Sequence, residues 1–125
     1  MRLLLDTHAL LWFLGEPGSL RARARSAIID ADTVAVSAAS LWEVSTKVSR
    51  GRLRVPSADV AGEVMEWGFE LLAISAAHAW AAGALPFHHR DPFDRMIVAQ
   101  AQLEGMTIVT RDPAIARYQV AVLPA

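Results

Sequence analysis

A continuous apolar run, Leu3-Leu4-Leu5, leads straight into Asp6-Thr7 and then into a segment of helical character. An unbroken apolar run suits a strand covered on both faces, the condition of a parallel sheet flanked by helices. Asp6 then falls at the strand's carboxyl end, the edge where open parallel α/β sheets bind ligands. The same residue can also cap the helix that follows, because aspartate is a favoured N-cap. The other acids of the chain decide what that position is worth.

Strands and helices alternate from there on. The pattern predicts a short helix over His8 to Leu14, closed by Gly15, Pro17 and Gly18, and a second opened by Ser19 as N-cap. Leu20, Ala24, Ala27, Ile28 and Ala31 follow helical spacing on the second helix, leaving Arg21 and Arg25 more exposed. Thr33 to Ser37 reads as a second strand. A third helix from about Ala38 to Arg50 places Leu41, Val44 and Val48 on its buried face and Glu43 roughly opposite, alongside Lys47 and Arg50; Gly51 ends it. Pro56 and Ser57 open a fourth helix running to about Trp67, and Phe69 to Ile74 forms a third strand. Ser75 caps a fifth helix through about Ala84, and Pro86 to Arg90 is a loop. A sixth helix runs from Pro92 to about Glu104 and stops at Gly105. Met106 to Thr110 is the fourth strand, Asp112-Pro113 starts one more helical turn, and Val120 to Leu123 adds a short edge strand. This alternation predicts one α/β domain over residues 1–125, without repeat or linker.

The chain of 125 residues is long enough to bury a core without staples, and it has no cysteine, which excludes disulfides, a thiol nucleophile and thiolate metal sites. The hydrophobic fraction of 54% is high for a small monomer and predicts an apolar interface, expected to be that of a homodimer. Asp6 and His8 interrupt what could pass for a signal peptide, and no apolar run has membrane-spanning length, so a soluble, cytoplasmic protein without membrane contact is expected. The net charge of -1 argues against a generally basic surface. Without Asp6, Glu43, Asp94 and Asp112, however, 12 basic residues face 9 acids (13 less 4), a surplus that could hold a phosphate backbone.

The segment His88-His89-Arg90-Asp91-Pro92-Phe93-Asp94-Arg95 concentrates the chemistry. Pro92 at the first helical position makes Asp91 the natural N-cap. Asp94 has Ile97, Val98 and Ala101 at i+3, i+4 and i+7, so it projects from the end of the buried face, where a carboxylate is costly unless it is paired or binds a cation. Glu43 fits a capping box with Ser40 and could pair with Lys47, and Asp112 could simply start a turn. Taken together, Asp6, Glu43, Asp94 and Asp112 can all be gathered at one α/β edge. Clustered carboxylates without thiolates or a histidine pair favour a hard cation, Mg²⁺ or Mn²⁺, suited to phosphodiester hydrolysis.

The stretches around Asp6, Val36 to Val44, Lys47 with Gly51-Arg52-Leu53, His89 to Ala101, and Val109 to Asp112 make the chain resemble the PIN-domain ribonucleases over essentially its whole length. More narrowly, it resembles the VapC toxins of bacterial VapBC pairs. The resemblance implies a three-layer α/β/α fold around a parallel sheet of four or five strands, and Mg²⁺-dependent endoribonuclease activity with 5′-phosphate and 3′-hydroxyl products. It implies a metal site of Asp6, Glu43 and Asp94 with Asp112 as a more peripheral acid, supported by the hydroxyls of Thr7, Ser37 and Thr110. A VapB-like antitoxin is the implied partner of a type II toxin-antitoxin pair.

Around these residues, Lys47, Arg50 and Arg95 are candidate RNA contacts, with Arg52 and Arg54 extending the basic run. His88 and His89 could touch substrate, although loop histidines are usually bystanders. Trp12, Trp42, Trp67 and Trp80 could stack bases, although tryptophans at helical spacing more often serve a core or a dimer contact. Two other readings compete with the nuclease: a non-catalytic RNA-binding or assembly module of the same fold, and an Asp-based phosphotransfer domain. The second meets an obstacle at His8, where one type of phosphatase needs a second aspartate, and in Lys47 being the lone lysine.

Overall fold

In the computed structural model, which describes residues 1–55 and 57–125, a five-stranded parallel sheet is flanked by helices on both faces. The strands are β1 (Arg2–Leu5), β2 (Thr33–Ser37), β3 (Glu70–Leu72), β4 (Thr107–Thr110) and β5 (Val122–Pro124), in the order β3-β2-β1-β4-β5. β1 is therefore central. Leu5 lies opposite Val36 on one side and Val109 on the other, and the Asp6 N–H continues the ladder onto the Val109 carbonyl at 3.1 Å.

Burial on both faces accounts for the apolar run that opens the chain. Leu3 and Leu5 face one layer with Val34, Val36 and Val109, and pack on α1 (Thr7–Gly15), α2 (Ala22–Asp30) and α4 (Val60–Glu66). Leu4 faces the other with Ala35 and Ile108, against α5 (Ala76–Ala84) and α6 (Pro92–Glu104). The remaining helix, α3 (Ala38–Ser49), touches both α1 and α6 and so spans the layers near the sheet's carboxyl edge. The three-layer α/β/α expectation holds. No helix among the described residues is long and apolar enough to cross a membrane.

Several local expectations are corrected. Ser19 does not cap the second helix: its hydroxyl bonds Glu16 within a 3-10 turn over Pro17–Ser19, and α2 starts later at Ala22 without a side-chain cap. The fourth helix begins at Val60, where Asp59 accepts from the Gly62 N–H at 2.9 Å; Pro56, expected to open it, lies outside the described residues. The third strand is shorter than Phe69 to Ile74. The turn after β4 does start at Asp112-Pro113, where Asp112 Oδ1 accepts from Ala114 N at 2.8 Å and the Asp112 carbonyl from Ala116 N at 3.4 Å ahead of a 3-10 turn over Ile115–Arg117, but the edge strand begins at Val122 rather than Val120. Glu43 is not opposite the buried face of α3: it is 3% exposed, whereas Val48 is 40% exposed. Trp80 at 85% and Trp42 at 65% are not core residues either.

Candidate active site

The acids are delivered by strand ends and helix starts. Asp6 leaves β1 and Asp112 follows β4, so the two stand where successive chain connections diverge to opposite sides of β1. Asp6 is the N-cap of α1, with Oδ1 accepting from Ala9 N at 2.8 Å. Its other oxygen accepts from the Thr110 hydroxyl at 2.5 Å, and that hydroxyl in turn accepts from the Asp112 N–H at 3.0 Å. One side chain thus ties two acids together. Capping and placement at the ligand-binding edge are therefore not alternatives for Asp6.

Glu43 forms the rear of the group. One of its oxygens accepts from the Thr7 hydroxyl at 2.6 Å and the other from Lys47 Nζ at 2.6 Å, one helical turn on. These contacts explain how a carboxylate can be buried on α3. Ser37 is fully buried, but its oxygen accepts from Ala39 N as the cap of α3 and so is engaged with the helix rather than with an acid.

Asp91 caps α6 by accepting from Phe93 N at 2.8 Å and Asp94 N at 3.3 Å, which leaves the Asp94 carboxylate to face the cleft. A cleft of about 310 Å³ is lined by Asp6, His8, Trp12, Asp94, Arg111 and Asp112. Trp12 packs under the Arg111 guanidinium, 4.1 Å from the ring centroid. An adjoining groove of about 430 Å³ shares His8 and Trp12 and continues past Leu53 and Arg54.

Burial and negative neighbours shape the electrostatics. Loss of hydration pushes Asp94 up to about 7, helped by Asp91, Glu43 and Asp6 and opposed by His89. Burial also raises Asp6, against the opposing hydrogen bonds from Thr110 and Ala9. Two acids kept from ionising first by burial and then by their negative neighbours mark a site short of positive charge. Their oxygen donors fit a hard divalent cation.

His89 is the residue that sequence reasoning undervalued. Its Nε2 lies 2.7 Å from Asp112 Oδ2 and 2.9 Å from Asp94 Oδ2, and one donor atom from each of the three lies within 4.8 Å of the others. Its position five residues before Asp94, in the loop leading to that helix cap, was the available signal. Arg95 is the opposite case. Expected at the RNA, it is 7% exposed, and its guanidinium donates to the carbonyls of Ala82, Gly83, Leu85, Pro86 and His89. It clamps the loop that carries His89 and has no free surface for a phosphate. Arg50 is exposed at the end of α3. His88 packs edge-on against Tyr118 instead of entering the cleft.

A PIN domain family model matches residues 3–121. The chain is 34% identical over 116 residues to Ribonuclease VapC22 of Mycobacterium tuberculosis, covering 87% of this chain and 85% of that one. Among solved structures, VapBC2 from Rickettsia felis bound to a promoter DNA fragment aligns with a TM-score of 0.73 at 17% identity, covering 98% of both chains. FitAcB from Neisseria gonorrhoeae aligns with a TM-score of 0.65 at 21% identity, covering 98% of this chain and 96% of that one. At these identities the structural likenesses establish the fold.

Proposed function

The chain belongs to the PIN-domain family, and from that premise we propose that it is a Mg²⁺-dependent endoribonuclease, the toxin of a type II toxin-antitoxin pair. The observation that carries the reading is the convergence of Asp6, Asp94 and Asp112 on one cleft with Glu43 buried behind them. Supporting it is the relationship to a ribonuclease of the VapC group.

In this reading Asp6, Glu43, Asp94 and Asp112 would hold the cation. A bound Mg²⁺ or Mn²⁺ supplies positive charge to the scissile phosphate and activates water for in-line attack. The chain's own residues do the aiming. Thr110 fixes the rotamer of Asp6 and Thr7 that of Glu43, while Lys47 balances the Glu43 charge at the rear. Asp91 holds the first turn of α6 so that Asp94 faces forward. RNA would lie along the groove that continues from the cleft past Arg54, with Arg50 and Arg52 also exposed on that basic run. Lys47 is already engaged with Glu43, so its contact with RNA would be secondary.

The proposal extends to assembly. Exposed Trp80, Phe87, Trp42 and Trp67 leave apolar surface for a homodimer and for a VapB-like antitoxin. Such a nuclease would act on cytoplasmic RNA. The retained acids speak against a non-catalytic module.

The test is cleavage of RNA by the purified chain in millimolar Mg²⁺ or Mn²⁺. Products with 5′-phosphate and 3′-hydroxyl ends are expected. Full activity in excess EDTA, or 2′,3′-cyclic phosphate ends, would rule the scheme out.

A further inference from the structure

The donor atoms of His89, Asp94 and Asp112 lie close enough to be taken for one mixed nitrogen and oxygen metal site. Imidazole in a donor set moves preference from Mg²⁺ towards the later transition metals. The other ring nitrogen argues against this, because which nitrogen carries the proton is set by the bond its partner makes.

His89 Nδ1 accepts a hydrogen bond from the Asp91 backbone N–H at 3.1 Å. A backbone amide can only donate, so Nδ1 must be bare and the ring proton sits on Nε2. The Nε2–H then points at the carboxylates, in hydrogen bond with Asp112 Oδ2 at 2.7 Å and with Asp94 Oδ2 at 2.9 Å beside it. The ring's backbone is held from behind: the His89 N–H donates to the Tyr118 hydroxyl at 3.0 Å, and the His89 carbonyl accepts from Arg95 at 3.3 Å. Tyr118 and Arg95 both also hold the Pro86 carbonyl. The loop is thus anchored on both sides of the ring.

We infer that His89 is a positioning residue: its fixed Nε2–H tautomer holds the Asp94 and Asp112 carboxylates together and leaves the cation an all-oxygen donor set. The N-cap of α6 does double work in this scheme. The Asp91 side chain orders the turn that carries Asp94, and its backbone N–H selects the tautomer that braces Asp94 against Asp112. The inference rests on the nuclease reading of the site.

Long-range nitrogen–proton NMR of the metal-free chain reads the tautomer directly. A proton on Nε2 and a bare Nδ1 are expected, and a proton on Nδ1 overturns the inference. Pulsed EPR of the Mn²⁺-bound chain reads the donor set. No directly bound nitrogen is expected, and a nitrogen coupling that vanishes in His89→Ala overturns it. By analogy with other residues that orient metal ligands, His89→Ala should weaken Mn²⁺ binding on the order of 10- to 100-fold. His89→Gln, whose amide can replace the Nε2 donor, should recover most of that loss, and equal loss in both variants overturns the hydrogen-bonding role. An unaltered chain that binds no Mn²⁺ sinks the nuclease reading and this inference together. Normal Mn²⁺ binding and RNA cleavage with Nδ1 protonated sinks this inference alone.

Discussion

Asp91 and Asp94 share the first turn of α6 yet face different groups. Asp91 Oδ1 accepts from Phe93 N and Asp94 N, while Asp94 Oδ2 lies 2.9 Å from His89 Nε2 among the other acids. Asp94→Asn should therefore abolish RNA cleavage and leave the melting temperature unchanged or raised, since it relieves repulsion. Asp91→Asn should be nearly silent, because asparagine caps about as well; Asp91→Ala should lower stability by about 0.5 to 2 kcal/mol with much of the activity kept. Cleavage rates and melting curves on the three variants check the assignment. It is wrong if Asp91→Asn is inactive and Asp94→Asn is not.

The raised Asp94 makes stability depend on pH in a definite direction. An acid whose folded pKa exceeds its unfolded value holds more protons when folded, so stability falls as pH rises from 3.8 to about 7. Asp6, raised by burial, contributes with the same sign. The metal-free chain should melt at a lower temperature at about pH 8 than at about pH 5, and Asp94→Asn should remove much of the slope. Mg²⁺, which competes with the proton, should stabilise the chain most at the higher pH. A melting temperature that climbs with pH in the absence of metal would contradict the scheme.

Arg95 supports the site from underneath. Arg95→Ala leaves buried carbonyls without donors and should cost about 3 kcal/mol or more in urea unfolding. Arg95→Lys should recover only part, because an ammonium cannot fork between the carbonyls of the 82–89 loop. Both variants should also cut more slowly at temperatures where they remain folded, since the loop carries His89. An Arg95→Lys variant with full stability would refute the clamp.

Thr110 links Asp6 to Asp112 by one hydroxyl. Thr110→Val preserves shape but strips the donor from a buried carboxylate, at about 1.5 to 3 kcal/mol of stability. That bond lowers the Asp6 pKa, so its loss should move the acid limb of the cleavage profile to higher pH. Thr110→Ser should restore both stability and profile. An unshifted acid limb in Thr110→Val would show that Asp6 does not depend on this hydroxyl.

The parts of the fold written in local pattern were legible in the sequence. The unbroken Leu3 to Leu5 run announced a doubly covered strand, and Asp91-Pro92 with Gly105 framed α6 at the bounds it has in the structure. Pattern failed where a partner lay far along the chain. The face of α3 was assigned from Leu41, Val44 and Val48, because nothing near Glu43 reveals Thr7, 36 residues earlier, as the donor that lets it be buried. Arg95 looked like a free cation for a similar reason: its partners are carbonyls of a loop, and carbonyls carry no side-chain signal. His89 is a single residue in a loop, and its meaning comes from Asp112 and the Asp91 N–H, which only the folded chain brings to it.

The central position of β1 also governs when such a site can exist. Leu3 and Leu5 gain their β4 neighbours, Thr107 and Val109, only after a hundred further residues have been made. At roughly five to twenty residues per second of translation, the first strand waits several seconds on the ribosome with one edge open. Asp6 is present throughout, but Thr110 and Asp112 arrive with β4. A nascent chain therefore carries its first acid early and completes the cleft late, when β4 brings Thr110 and Asp112 to Asp6.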